Sequence, residues 1–204
     1  MATLKSYGLT TLSRFKDYAE VSGSSDDTLI TILINQITEF IENYTGRRFK
    51  QTTYTNEEYD GTGTNTLILK QYPVSTFTSL NERSTRQNES DWNIIDAEDY
   101  FVDLATGIIT LIPYEFIRGT RLYRATYTAG YDFDNSTDFL EETEAGDIEW
   151  AAWELVKAAY NRRRQQPGLS SARLGDAAVT YRRTVMEDED IKAVLDKYRR
   201  IVIL

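Results

Sequence analysis

The chain has 204 residues, a hydrophobic fraction of 41% and a formal net charge of −9. This length suits one domain, or one domain with an elaborate insertion, and the apolar fraction is sufficient for a core. The acidic balance argues against DNA binding by the whole surface, because basic residues that neutralise phosphates supply most of the affinity of such proteins. It leaves room for a local basic patch.

Neither cysteine nor histidine occurs in the chain. Disulfides, thiolate nucleophiles and cysteine–zinc sites are therefore excluded. Catalysis by Ser–His–Asp or Cys–His groups is excluded as well. The first residues lack the apolar core of a signal peptide, and no stretch approaches the roughly 20 apolar residues of a membrane span. We expect a soluble protein that folds in a reducing cytoplasm.

The first fifty residues predict two helices. Thr10 or Thr11 can cap a short first helix, which ends in the polar stretch SGSSDD. The second helix begins at an N-cap on Ser24 or Ser25 and runs to about Tyr44. Its apolar face is formed by Ile30, Leu33, Ile34, Ile37, Ile41 and Tyr44.

The stretch ENYTGRRF, Glu42 to Phe49, contains a helix-stop signal. Gly46 can take the left-handed conformation that ends helices at little steric cost. Arg47 and Arg48 stand where cations favour the negative end of a helix. Phe49, which follows Arg48, then begins an extended segment that packs back against the helices.

Residues 51–131 predict β structure. TNTLILKQYPVSTFTSL predicts two strands with a turn at Tyr72–Pro73, and YFVDLATGIITLIP predicts a hairpin that bends at Ala105–Gly107. RLYRATYTAGY predicts another strand, which ends at Gly130. The polar stretch Asn81–Trp92 predicts a mobile loop.

Three stretches could carry chemistry, and each has a simpler interpretation. DGTGTN, Asp60–Asn65, lacks the third glycine of a phosphate-binding loop and predicts a turn between strands. Asp132–Asp138 spaces oxygen atoms as calcium loops do, but threonines stand at the required glycine and glutamate positions, so cation binding stays open. Glu141–Trp150 indicates a solvated approach to a helix N-terminus, since no nucleophile or base accompanies it. The sequence therefore assigns no catalytic, cofactor-binding or metal-binding residue.

The C-terminal part predicts a long helix over Asp147–Arg164 and a last amphipathic helix in DEDIKAVLDKYRR. Two features here remain open to more than one interpretation. A basic cluster could be the favourable basic end of a helix, or it could meet phosphates or an acidic protein. The apolar end IVIL could fold back or dock into another chain, and we favour docking. The basic cluster consists of Arg162, Arg163, Arg164, Arg182 and Arg183.

The order of these elements resembles the head–tail connector proteins of tailed bacteriophages, also called adaptor or head-completion proteins. In that family a Y-T-A-G-Y segment commonly precedes the long third helix, here Tyr127–Tyr131. The stretches Leu174–Arg183 and Val194–Arg200 resemble the C-terminal part of the family. The acidic stretch Asp132–Gly146 departs from the family, which has a shorter, proline-containing approach. The second helix of the family typically ends in a helix-stop motif, here Tyr44, Thr45, Gly46 and Arg47.

The resemblance implies an α+β fold that is mainly a helical bundle of the phage head–tail connector type. A β-rich insertion would lie between the second and third main helices. Residues 1–50 would supply the N-terminal helices and residues 51–131 the insertion. Residues 132–204 would supply the acidic loop, the long helix and the C-terminal helix with its docking tail, all within one structural unit.

The implied function is structural and not enzymatic. Such proteins form a ring, usually of twelve copies, under the portal protein at the neck of the virion, after synthesis in the host bacterial cytoplasm. The ring extends the DNA channel and links the capsid to a downstream neck or tail protein, without cofactor, membrane or sequence-specific DNA binding. An acidic lumen would let DNA slide. In relatives the C-terminal segment reaches onto the portal, which points here to Lys197, Arg199, Arg200, Ile201, Val202, Ile203 and Leu204.

The alternative function is a nucleic-acid-binding module that grips phosphates through Arg162–Arg164 and Arg182–Arg183. Salt-dependent DNA affinity of the purified chain would favour this alternative over the connector.

Overall fold

The computed structural model describes residues 2–83, 91–133, 146–165 and 188–200 and, for residues 164 and 165, the backbone alone. The chain divides into two compact units. The α unit combines Met1–Lys50 with Asp132–Leu204, and the β unit is Gln51–Tyr131.

The described part of the α unit contains four α-helices, and α3 packs against each of the other three. Their apolar faces form a core that includes Phe15 of α1, Ile34 of α2, Leu155 of α3 and Leu195 of α4, each no more than 1% exposed. None of the described helices combines the length and apolarity that a membrane crossing requires. The helices are α1 (Leu12–Ala19), α2 (Asp27–Thr45), α3 (Gly146–Gln165) and α4 (Glu189–Lys197).

The starts of the first two helices differ in how they are capped. Thr11 caps α1 as the sequence predicts, because its hydroxyl accepts a hydrogen bond from the backbone of Arg14 at 3.3 Å. The predicted cap of α2 on Ser24 or Ser25 is wrong, since Asp26 is the N-cap and makes no side-chain capping bond. The carboxylate of Asp26 instead accepts from the Tyr160 hydroxyl at 2.5 Å, so a tertiary contact replaces the local cap.

The described part of the β unit contains seven strands in two antiparallel sheets, with orders β1-β7-β3-β4 and β2-β6-β5. Residues of both sheets share one apolar core, and β7 alternates partly exposed and buried residues from Leu122 to Ala129. The strands are β1 (Thr52–Gly61), β2 (Thr66–Ile68), β3 (Val74–Arg83), β4 (Trp92–Ile94), β5 (Tyr100–Asp103), β6 (Ile108–Leu111) and β7 (Gly119–Ala129).

The expectation of a mainly helical bundle is wrong. Two antiparallel sheets with their own core make up a compact unit of the chain. Several strands have only three or four residues, and β1 carries register shifts between Tyr54 and Glu57 and between Tyr59 and Gly61. Short strands and bulges interrupt the alternation on which strand prediction depends, whereas long helices leave a strong pattern. The sequence patterns did predict β structure over residues 51–131, and the expectation taken from the family resemblance gave the helices too much weight.

The prediction of a mobile loop over Asn81–Trp92 is wrong at both of its ends. Asn81–Arg83 belongs to β3 and pairs with Trp92–Ile94 of β4, and residues 84–90 lie outside the described residues. The guanidinium groups of Arg83 and Arg124 lie 5.1 and 4.6 Å from the Trp92 ring. Of the two paired strands, β4 lies at the edge of the sheet and β3 lies between β4 and β7.

Candidate functional site

The end of α2 and the residues that end α4 lie against each other in the α unit. The Tyr44 hydroxyl donates to Oδ1 of Asp196 at 2.8 Å. The backbone N–H of Arg200 donates to the carbonyl of Thr45, also at 2.8 Å. We call the contacts between residues 44–49 and residues 196–200 the C-terminal anchor.

Gly46 gives the helix stop its shape. Its φ of 70° ends α2, as the sequence predicts, and its N–H donates to the carbonyl of Glu42 at 2.9 Å. A Cβ atom here would lie 3.7 Å from Cβ of Arg200, so the glycine side of the turn faces the C-terminal segment. The Tyr-Thr-Gly-Arg motif therefore ends the helix and also forms the seat of the C-terminal anchor.

An aromatic and cationic cluster fills the interior of the anchor. The Arg47 guanidinium, in a residue only 4% exposed, donates from Nη1 to the carbonyl of Tyr198 at 3.4 Å and lies 5.6 Å from the Phe49 ring. The Phe49 and Tyr198 rings pack edge to face with centroids 5.7 Å apart. Such pairs stabilise beyond the area that they bury, so Tyr198 is part of the core of this unit.

Asp147, in the first turn of α3, binds two residues of the C-terminal segment, Lys197 and Tyr198. Its carboxylate accepts from Nζ of Lys197 at 2.7 Å and from the Tyr198 hydroxyl. Burial acts to raise the pKa of Asp147, but the hydrogen bonds from Lys197, Tyr198 and the backbone N–H of Ile148, together with the positive charge of Lys197, outweigh it and lower the pKa below its usual range. The ionised carboxylate is therefore the form that the folded anchor favours.

Asp147→Asn is expected to lower the melting temperature at pH 7 and to have a diminishing effect as the pH falls below about 4. A carboxyl whose pKa is depressed on folding contributes stability above its unfolded pKa, and that contribution is lost as the pH falls through the folded pKa. The measurement is the difference in melting temperature between wild type and variant across this range. A difference that stays constant down to pH 2.5 would show that the charge of Asp147 is not its source.

The predicted interface residues have different surroundings. Lys197 binds Asp147 of α3, and the backbone of Arg200 is part of the C-terminal anchor. Arg199 pairs with Asp196 at 3.8 Å and lies 5.6 Å from the Tyr44 ring. The predicted apolar plug, Ile201, Val202, Ile203 and Leu204, lies outside the described residues.

The predicted basic cluster is only partly described. Arg162 and Arg163 are exposed in the last turns of α3. The side chain of Arg164 and all of Arg182 and Arg183 lie outside the described residues, so the cluster as a whole has no described geometry.

The sequence missed a buried ion pair in the α unit. Glu149 was placed in a solvated stretch, but it is 2% exposed and binds Arg14 through two contacts, Nε–Oε1 at 2.8 Å and Nη2–Oε2 at 2.7 Å. That interpretation of the stretch is wrong at this position. A signal was present, because Glu149 precedes Ala152 and Trp153 by three and four residues and thus shares their buried helix face.

The acidic stretches contain no metal site within the described residues, where no group of carboxylates is arranged to hold an ion. Of the calcium-like stretch Asp132–Asp138, only Asp132 and Phe133 are described. The remaining ligand positions lie outside the described part of the chain.

Comparison with known proteins connects this fold to one family. The model of the head completion protein family matches residues 8–201. A chain from the neck of an empty gene transfer agent particle, reconstructed with C6 symmetry, is similar with a TM-score of 0.54 and 16% identity, over 100% of this chain and 95% of that chain. A chain from the native neck with C12 symmetry and one from the native virion give TM-scores of 0.52 and 0.53 at the same identity and coverage. The comparison with curated proteins found no match.

The family match extends from before α1 to beyond the C-terminal anchor. The likeness to the neck structures, at 16% identity, supports the fold alone. The resemblance drawn from the sequence motifs is therefore confirmed. The chain belongs to the head completion protein family, and it is a structural head–tail connector at the head–tail interface of a phage-like virion.

Proposed function

We propose that the chain forms a closed ring of identical copies under the portal protein, extends the DNA channel and presents a surface to the next neck or tail protein. A twelve-copy ring fits the C6 and C12 symmetry in which the similar neck structures were computed. The ring acts by holding neighbouring polypeptides, and it catalyses nothing.

The observation that carries this proposal is the C-terminal anchor. A docking segment that starts from a fixed point loses less conformational entropy on binding than one that is attached to a longer unfixed stretch. The bond from Arg200 to Thr45 and the buried Tyr198 supply that point. The four residues that follow, Ile-Val-Ile-Leu, span at most about 14 Å and are all apolar. We assign them to docking on the portal, with Arg199 and Arg200 as the polar flank.

The charge of the chain supports a channel that does not hold DNA. A net charge of −9 per copy repels phosphates. The repulsion becomes stronger in a ring, because the charges of all copies add up. The exposed arginines at the end of α3 would grip DNA only if they faced the channel. Measurable DNA affinity of the purified chain at moderate salt, lost on Arg162→Ala with Arg163→Ala, would favour a nucleic-acid-binding module instead.

A chain that ends at Arg200 is expected to keep its melting temperature and to reduce the yield of tailed particles by roughly 100-fold. Four buried aliphatic side chains contribute several kcal/mol to a docked segment, and a loss of about 2.7 kcal/mol corresponds to that factor. The cut belongs after Arg200, because a cut after Lys197 would remove the buried Tyr198 and destabilise the α unit itself. Particle yield is measured by complementation and electron microscopy.

A full-length variant tests the chemistry of the same segment. Ile201→Asn with Ile203→Asn is expected to behave like the truncation, whereas Ile201→Val with Val202→Ile conserves apolar surface and is expected to assemble normally. Normal numbers of tailed particles from the chain that ends at Arg200 would refute docking through these residues.

A further inference from the structure

One side of the β unit carries an open groove of about 440 Å³ with large apolar side chains around it. Ile94, Tyr114 and Ile117 line it and are 71%, 61% and 59% exposed. Single exposed apolar residues are common on proteins, but several around one concavity usually mark a contact surface.

The same groove is strongly acidic. Glu82, Asp96, Asp99 and Glu115 line it, and none of its described lining residues is basic. None of these four carboxylates forms an ion pair with any residue in the described part of the chain. We call this feature the acidic groove. Its negative potential repels phosphates, which excludes nucleic acid as its ligand.

A ligand that suits the acidic groove must combine an apolar body with a cationic end. Arginine has this character, because its methylene stem packs on apolar surface while its guanidinium binds carboxylates through two hydrogen bonds and stacks on aromatic rings such as that of Tyr114. Arg162 and Arg163 are exposed at the C-terminal end of α3, where they present two such side chains in succession.

Ring closure provides the reason for a contact between copies. Each copy carries a net charge of −9, so copies repel one another unless local patches of opposite charge meet. A closed ring uses heterologous contacts, in which one patch of a copy meets a different patch of the next. The chain contains both patches, one acidic and one basic.

We propose that the acidic groove of one copy receives Arg162 and Arg163 of the neighbouring copy, so that this contact selects the lateral interface of the ring. The proposal rests on the ring of the proposed function and specifies how the ring closes. It assigns the basic residues at the end of α3 to a protein partner.

Two charge-reversed variants test the contact. The groove variant carries Asp96→Lys and Glu115→Lys, and the arginine variant carries Arg162→Glu and Arg163→Glu; all four positions are exposed. Each variant alone is expected to reduce rings in particle necks at least about tenfold. The groove variant places two lysines against the arginines and leaves the groove without net charge, and the arginine variant places two glutamates against four carboxylates. The control, Asp17→Lys with Glu98→Lys, changes the net charge as the groove variant does, at exposed positions outside the groove, and is expected to form rings normally. Circular dichroism confirms that each variant is folded.

Mixing the two variants distinguishes a contact between copies from one within a copy. Co-production of the groove variant with the arginine variant is expected to restore rings, because alternating copies then pair opposite charges at every interface. Failure of the mixture to restore rings would overturn the proposal, even if one chain carrying all four changes does assemble. Normal rings from the groove variant alone would also overturn it. Absence of the wild-type chain from necks would instead refute the proposed function.

Discussion

Arg14→Ala is expected to lower the free energy of unfolding by about 3–5 kcal/mol, as removal of one partner from a buried ion pair does. The change leaves the carboxylate of Glu149, only 2% exposed, without the two charge-assisted hydrogen bonds that Arg14 supplies. It also removes a guanidinium that lies 5.7 Å from the Trp153 ring. The measurement is urea denaturation at pH 7.

Two further variants separate charge from geometry in this pair. Arg14→Lys keeps the charge but lacks the planar fork, so it is expected to recover only part of the loss. Arg14→Met with Glu149→Leu removes both charges and is expected to cost much less than Arg14→Ala, since no buried charge is left unpaired. A loss below about 1 kcal/mol for Arg14→Ala, typical of surface pairs, would contradict the burial of this contact.

Gly61→Ala is expected to destabilise the β unit by about 3 kcal/mol or more, at the upper end of overpacking effects. A Cβ atom at Gly61 would lie 1.7 Å from the carbonyl oxygen of Ile117 and 3.0 Å from Cε2 of Tyr123. The backbone of one segment must therefore move, and the pairing of β1 with β7 must move with it. Thermal unfolding followed by circular dichroism measures the loss.

The matched control is the same substitution at Gly119, the residue that lies opposite Gly61 in the pairing of β1 with β7. A Cβ atom there would meet Cδ1 of Leu122 at 2.6 Å, and a leucine side chain can turn away. Gly119→Ala is therefore expected to cost about 1 kcal/mol. Equal losses for the two variants would show that the Ile117 carbonyl is not the obstacle.

The features that could be predicted from the sequence have local causes. The end of α2 follows from the conformational freedom of Gly46, and the cap of α1 follows from the Thr11 hydroxyl, so a few neighbouring residues determine each. The hairpin of β5 and β6 bends at Gly107, with a φ of 70°, as the alternating pattern and the glycine together predict.

The features that could not be predicted depend on residues far apart in the chain. Arg47 and Tyr198 are 151 positions apart, and Arg14 and Glu149 are 135 apart. Helical periodicity could have shown that Glu149 lies on a buried face, but it does not record which distant residue is the partner, so the C-terminal anchor and the ion pair emerge only from the structure. The balance of helix and sheet was misjudged for another reason, because that expectation came from the family resemblance, whereas the local patterns did predict β structure over residues 51–131.

The C-terminal anchor joins the helix-stop motif to the residues that end α4. Tyr44, Thr45 and Arg47 each contact a residue between Asp196 and Arg200. A change in the motif therefore alters the point from which the last four residues extend. In this way local helix-stop chemistry is connected to the docking that we propose for the connector.

The most direct measurement is an electron cryomicroscopy reconstruction of the neck of particles assembled with this chain, without imposed symmetry. We predict a closed ring of this chain between portal and tail, with the residues after Arg200 in contact with the portal. A neck in which heads join tails and this polypeptide is missing would contradict the assignment of the chain as the connector.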